Sequence, residues 1–260
     1  MWLPVRLASW EISGKRHDFD EPRNQVGISK IAQQAAGRPR TAEEFNAWFR
    51  QSKGDPWNYA SPSITARLRA SRDFLCRMMP NGFEGAIVEL GAFDGSFTVY
   101  LQKAFPLAEI HVIDISRVAI EKAQQKVGLC DRVSFYVQDF LQISRDRIEM
   151  PKNNEAVILM LECLYYLKDI ERGQCVETIR REFPTSLVII SVPVTGGNYF
   201  TEAGLLQLFK NAQYTLRDFR ILNLRRRIPP VDWILKTLAK RSFFLRSAIA
   251  NQVIFAFAPE

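Results

Sequence analysis

The stretch IVELGAFDGSF, Ile87 to Phe97, decides the fold. An apolar run of strand character passes through a carboxylate at Glu89, turns at Gly91 and Gly95, and continues as a helix. Downstream of it, short β-branched runs alternate with helical stretches almost to the end of the chain. Strands are expected at 86–91, 109–116, 133–139, 156–162, 186–192, 214–222 and 252–258, with helices near 95–104, 116–128, 170–182 and 201–211. This alternation predicts an α/β chain: a Rossmann-like, doubly wound sheet of seven strands, covered by helices on both faces and finished by a long hairpin of the last two strands.

Upstream of the turn, Thr41 and Glu44 form a capping box ahead of Phe45, Trp48 and Phe49 at helical spacing, which predicts a helix from 41 to about 52. Gly54, Asp55 and Pro56 end it. Ser61-Pro62 opens a second helix of roughly 63–79 that Pro80 closes. The organisation expected is therefore an irregular N-terminal extension over 1–40, a helical segment over 41–80, and a main domain over 81–260 with a basic helical insertion at about 225–250.

At 260 residues, 47% hydrophobic and 24% charged, the chain can bury a large core. Its four cysteines show no Cys-x-x-Cys pair and it has two histidines, so neither a disulfide framework nor a metal site is expected, and a reducing cytoplasm is. MWLPVRLASW lacks a long apolar core, and Glu162 interrupts the run AVILMLECLYYL, so neither reads as a signal peptide or a membrane span. The net charge of +7 is concentrated: seven cations between Arg225 and Arg246 face one anion, Asp232. The excess therefore speaks about one segment and not about a nucleic-acid-binding surface.

Two ligand classes compete for the glycine turn. A dinucleotide turn, Gly-x-Gly-x-x-Gly counted from Gly91, would need glycines where Phe93 and Ser96 stand. The turn typical for S-adenosylmethionine, acid-x-Gly-x-Gly-x-Gly, finds Glu89, Gly91 and Gly95. That ligand carries an ammonium, a carboxylate and a sulfonium and no phosphate, whereas Glu89 and Asp94 would repel a pyrophosphate. A tight turn that binds nothing remains the alternative for a glycine pair taken alone. The second strand ends in Asp114, where a carboxylate can accept from both ribose hydroxyls. The third ends in Asp139 and Phe140, an acceptor for an adenine amino group and a cover for its ring, although Asp139 by itself also reads as a turn cap. Three acids at three successive strand ends point to one site.

These residues resemble the class I S-adenosylmethionine-dependent methyltransferases, over about 41–224 and 252–258. LMLECLYYLKD looks like the strand-four segment of the nodulation-factor N-methyltransferase family, which methylates an amino group of a sugar. Asp55-Pro56-Trp57, with Ser61 and Arg67 after it, is similar to that family's pattern before the first strand. The resemblance implies that 41–80 covers the cofactor, that Trp57 packs on it and that Arg67 takes its methionine carboxylate. It places Glu89, Gly91 and Gly95 along the turn that holds it, Asp114 and the adjoining Ile115 at the ribose, and Asp139 and Phe140 at the adenine. Glu162 is implied at the cofactor and, with Tyr165, at the methyl-transfer site. Phe93 replaces the middle glycine, and its ring is expected to point away from the ligand.

The function implied is methyl transfer from S-adenosylmethionine to a small molecule or glycan, first choice the amino group of an amino sugar. An O-methyltransferase for a sugar or natural-product hydroxyl and a non-catalytic scaffold on the same fold stay open. His111 falls inside the second strand and His17 in the extension, so neither reads as a base. No Asp/Asn-Pro-Pro-Tyr follows the fourth strand, which argues against nucleic-acid modification. Residues 231–249 read as one basic amphipathic helix, with Val231, Ile234, Leu235 and Leu238 on one face and Asp232, Lys236 and Lys240 opposite. Such a helix lies on an anionic membrane, closes over a substrate, or packs on the core with its cations in water. The sequence carries no signal for oligomeric state.

Overall fold

The computed structural model describes residues 41–51, 57–59, 61–148, 150, 155–225 and 231–260. The extension expected over 1–40 and the breaker at 54–56 lie outside them. In chain order the elements are α1 (Ala42–Gln51), α2 (Pro62–Met78), β1 (Ala86–Leu90), α3 (Thr98–Ala104), β2 (Glu109–Asp114), α4 (Arg117–Val127), β3 (Val133–Val137), β4 (Ala156–Leu161), α5 (Asp169–Glu182), β5 (Leu187–Pro193), α6 (Glu202–Asn211), β6 (Tyr214–Leu224), α7 (Asp232–Arg241), α8 (Phe243–Ile249) and β7 (Ala250–Pro259).

The seven strands form one sheet in the order β3-β2-β1-β4-β5-β7-β6. β1 to β5 run parallel, and β7 enters antiparallel between β5 and β6. Alternation along each central strand splits the core in two. Ile87, Val112, Leu159 and Ile189 face Leu68, Leu75, Leu101 and Ile120 of α2, α3 and α4. Val88, Ile113, Met160 and Ile190 belong to the opposite layer with Val176, Leu205 and Phe209 of α5 and α6. All eight strand residues are essentially inaccessible to water, which is why these strands read as continuous apolar runs.

Local signals set the helix starts. Thr41 Oγ1 accepts from the Glu44 N–H at 3.3 Å while the Thr41 N–H reaches Glu44 Oε2 at 3.1 Å, the capping box read from the sequence. Ser61 caps α2 through the Ile64 N–H. Three elements differ from expectation. The helix expected near 95 begins at Thr98, so the turn after β1 is longer. The third strand stops at Val137, and Asp139 starts a 3-10 turn by accepting the Leu141 N–H at 2.9 Å.

The basic helix expected over 231–249 is two helices. Ser242 takes an extended conformation and caps α8 by accepting the Leu245 N–H at 3.2 Å. Lys236 Nζ donates to the Leu222 carbonyl at 2.9 Å, and Arg246 is buried against Glu202 with its Nε 2.7 Å from Oε1. Those anchors turn the cations at 236 and 246 inward, and Ile234 and Leu238, two of the four residues read as one apolar face, stand outward. The insertion is thus held by its charges and shows water part of its apolar surface.

Candidate functional site

The strand order reverses between β1 and β4, the position where a doubly wound sheet opens a crevice beyond its carboxyl ends. Register brings the ends level: Leu90 pairs with Ile113 on one side and Met160 on the other, and Leu161 pairs with Ser191. Gly91, Asp114 and Glu162 therefore leave the sheet together.

At the turn, Gly91 has φ +71°, and a Cβ there would lie 2.6 Å from the Cβ of Cys163. Gly95 also has φ +71°, but the atoms a Cβ would crowd, at 3.1 Å, belong to Ala123 and Val127 of α4. Gly91 lines the cavity described below, whereas Gly95 serves close packing of the turn on α4. Asp94, read beside Glu89 as an acid of the site, is instead turned to α4, where it pairs with Lys126 and accepts the Ser96 N–H at 3.0 Å.

Asp114 is buried. Its Oδ2 accepts the Phe93 N–H at 3.0 Å and its Oδ1 the Ser116 N–H at 2.9 Å, so it stitches the glycine turn to the start of α4. Burial pushes its carboxyl up to about 6, against the pull of those two donors. Glu89 lies under the first turn of α3, accepting from Thr98 Oγ1 at 2.6 Å, and burial raises it to about 8. Ile115 is half-buried just beyond Asp114. Phe140 is buried in the core layer that includes Ile113 and Ile143.

Between the ends of β1, β4 and β5 lies a cavity of about 20 Å³ lined by Tyr59, Arg67, Glu89, Gly91, Glu162 and Ser191 among others. Its polar wall is one network. Glu162, at φ +61°, accepts from Ser191 Oγ at 2.6 Å and from Gln252 Nε2, and its Oε2 is 4.0 Å from Arg67 Nη1. Arg67 also donates to Gln252 Oε1 at 3.3 Å, and Asn223 donates to the same oxygen at 3.1 Å. Burial raises the Glu162 carboxyl above its ordinary range, with Arg67 pulling the other way. Tyr165, beyond Glu162, packs its ring edge against Tyr199 at 5.3 Å between centroids. Arg172 donates to the carbonyls of Tyr165 and Asn198, tying the turn after β4 to the loop after β5.

A layer of aromatic rings roofs the turn. Phe93, at φ +50°, packs against Phe49 at 4.7 Å and Trp57 at 4.4 Å, and its ring does not line the cavity. Trp57 Nε1 reaches Tyr166 Oη at 3.3 Å, so the indole bridges the turn after β1 and the turn after β4. Asn46 of α1 accepts the Ser116 hydroxyl at 2.6 Å and the Val118 N–H at 3.2 Å, fixing α1 on the first turn of α4.

The structure thus brings Trp57, Arg67, Glu89, Gly91, Asp114 and Glu162 to one end of the sheet. Tyr165 stands at its edge, Asp139 caps a turn, and Phe140 and Gly95 pack. His111 sits inside β2, its Nδ1 3.2 Å from Tyr136 Oη. Ser191, Gln252, Asn46 and Tyr199 were not read from the sequence. Ser191 and Gln252 carry a signal nonetheless: Ser191 is the lone polar residue of β5, and Gln252 stands with Asn251 at the site end of an otherwise apolar β7.

Residues 87–182 match the protein family described as "Methyltransferase domain". Beyond that stretch, the whole sheet has the fold of S-adenosylmethionine-dependent methyltransferases of known structure. Among solved structures, the N-methyltransferase NodS from Bradyrhizobium japonicum WM9 with S-adenosyl-L-homocysteine is similar at 16% identity. The match covers 85% of this chain and 99% of that one, with a TM-score of 0.58. The magnesium protoporphyrin IX methyltransferase ChlM from Synechocystis PCC 6803, with bound S-adenosylhomocysteine, shares 14% identity over 90% of this chain and 100% of that one, at TM-score 0.55. A structure named StiE O-MT shares 18% over 83% and 81%, also at 0.55. No curated protein matches the chain in sequence. The methyltransferase domain spans β1 to α5, the part of the fold that holds the glycine turn, Asp114 and Glu162.

Proposed function

We propose that the protein transfers the methyl group of S-adenosylmethionine to a small-molecule or glycan acceptor, with the amino group of an amino sugar as first choice. The observation that carries this reading is the buried Arg67–Glu162–Gln252 network beside Gly91. A zwitterionic amino-acid end needs a cation for its carboxylate and carboxyls for its ammonium, and Arg67, Glu89 and Glu162 offer both around one cavity. Asp114 then takes the ribose hydroxyls. At about 20 Å³ the cavity admits a water molecule and no more, so cofactor entry requires its lining, which includes Tyr59 and Phe97, to shift.

When bound, the cofactor supplies a methyl group on a sulfonium, a good leaving group. The protein's task is alignment and proton management. Glu162, raised by burial, accepts a proton from an incoming ammonium or hydroxyl, and Ser191 and Gln252 hold it in place. Tyr165 and Tyr199 offer an aromatic wall suited to a sugar ring. The N-methyltransferase NodS supports an amine acceptor, and StiE O-MT keeps a hydroxyl in view as the alternative.

Calorimetry with S-adenosylmethionine and S-adenosylhomocysteine tests the cofactor, and transfer of a labelled methyl to amino sugars beside their N-acetylated counterparts tests the acceptor. Label on the free amino sugars alone is the expected result. Label on both forms places the methyl on oxygen, and absence of binding by either cofactor form overturns the reading.

A further inference from the structure

Ten large apolar side chains are exposed among the described residues, and five of them, Trp233, Ile234, Leu238, Phe243 and Phe244, fall between positions 233 and 244. The other five are scattered singly, as on any soluble surface, so the cluster needs an explanation. Trp233 is 68% exposed, Leu238 51% and Phe244 86%. On α7, Trp233, Ile234, Leu238 and Arg241 share the outward face while Leu235 and Ala239 face the core. Lys240 and Arg241 are exposed at the end of α7, next to the two phenylalanines that open α8.

The placement matters as much as the composition. β6 runs parallel to β5, so α7 and α8 hang from the same end of the sheet as Gly91 and Glu162. Gln252, three residues past the end of α8, hydrogen-bonds Glu162 together with Ser191. Whatever seats on these two helices lies beside the mouth of the site.

We propose that α7 and α8 form a docking surface for an anionic phospholipid bilayer. Trp233, Leu238, Phe243 and Phe244 enter the interfacial layer, and Lys240 and Arg241 meet lipid phosphates. An interfacial helix combines an apolar row with flanking cations and no long apolar span, and none of the described helices is long and apolar enough to cross a membrane. A second copy of the chain is the poorer occupant: it brings the same two cations to the same patch, whereas an anionic bilayer offers an apolar layer and opposite charge together.

The test is sedimentation of the full chain with vesicles of phosphatidylcholine alone and of phosphatidylcholine mixed with phosphatidylglycerol, at low and high salt. Binding to the mixed vesicles, weakened by salt, is expected. Trp233→Ser with Phe244→Ser should abolish it, and Lys240→Glu with Arg241→Glu should weaken it by about tenfold or more. All four side chains are exposed, so melting temperature and S-adenosylhomocysteine affinity should match wild type, which separates this surface from the cofactor site. The proposal is overturned by failure to sediment with anionic vesicles, by binding that both variants retain, or by light scattering that shows a dimer dissolved by the Trp233/Phe244 changes.

Discussion

Asp114→Asn separates cofactor binding from fold stability because the structure gives the two effects different balances. In the wild type each Asp114 oxygen accepts one backbone N–H, from Phe93 and from Ser116. Asparagine keeps one of these and turns an amide NH2 toward the other donor, leaving a buried N–H unsatisfied at a cost of about 1–3 kcal/mol. Burial has meanwhile raised the Asp114 carboxyl from 3.8 to about 6. That makes the ionised side chain cost the fold roughly 3 kcal/mol at neutral pH, at about 1.36 kcal/mol per pH unit. The neutral amide escapes this cost. The two terms oppose each other, and stability at pH 7 is expected to change by less than about 2 kcal/mol.

Cofactor binding has no such cancellation. Ribose hydroxyls donating to a carboxylate make charge-assisted hydrogen bonds, and losing the charge costs about 1.5–3 kcal/mol, roughly 10- to 150-fold in Kd. The sign of the pH dependence follows. A carboxyl raised in the folded state stabilises the fold below its unfolded value of 3.8, and that contribution is lost as pH rises through about 6. Urea unfolding between pH 4 and 7 should therefore show the wild type losing its advantage over the asparagine variant across that window. S-adenosylhomocysteine affinity, measured by calorimetry, should weaken for the wild type below about pH 6 and stay flatter for the variant. Glu89, raised to about 8, is common to both proteins and drops out of the difference. Equal affinity of the two proteins at pH 7.5 would refute the assignment of Asp114 to the ribose.

Gly95→Ala should lose about 2–4 kcal/mol of stability in urea, from left-handed backbone strain plus a Cβ 3.1 Å from Ala123 and Val127, with cofactor affinity of the folded protein unchanged. Lower affinity at intact stability would return Gly95 to the ligand. Glu162→Gln should reduce turnover by about 10²–10⁴ and cofactor affinity far less, as for removal of a general base. Steady-state kinetics beside calorimetry checks this, and equal losses would leave Glu162 its cofactor contact and remove its role as base.

The sheet was legible because its central strands are buried on both faces, so composition alone marked them. Helix starts were legible where a side chain caps, as at Thr41 and Ser61. The acids were legible as positions but not as partners. Asp94 and Glu89 look alike in IVELGAFDGSF, and only the approach of Lys126 from α4 tells them apart. Ser191 and Gln252 reach Glu162 through strand pairing across 29 and 90 positions, which no local pattern carries. Which side of the insertion packs was not legible for a related reason. Spacing gave α7 an apolar stripe, but Lys236 and Arg246 bind a distant carbonyl and a distant carboxylate, and those contacts set which side faces the core.

Phe93 and the aromatic residues of α1 explain each other. Against the glycine pattern, a phenylalanine at φ +50° costs roughly 1–2 kcal/mol of backbone strain. Its ring is 3% exposed, and burying a phenyl group contributes about 1.5–3 kcal/mol, enough to offset that strain. The burial comes from Phe49, Trp57 and Tyr59, all on the segment ahead of the sheet. A glycine at 93 would remove the strain and also the seat on which this segment rests, so the departure from the motif and the Phe45-x-x-Trp48-Phe49 pattern form one device. It couples the glycine turn after β1 to the segment that packs over it.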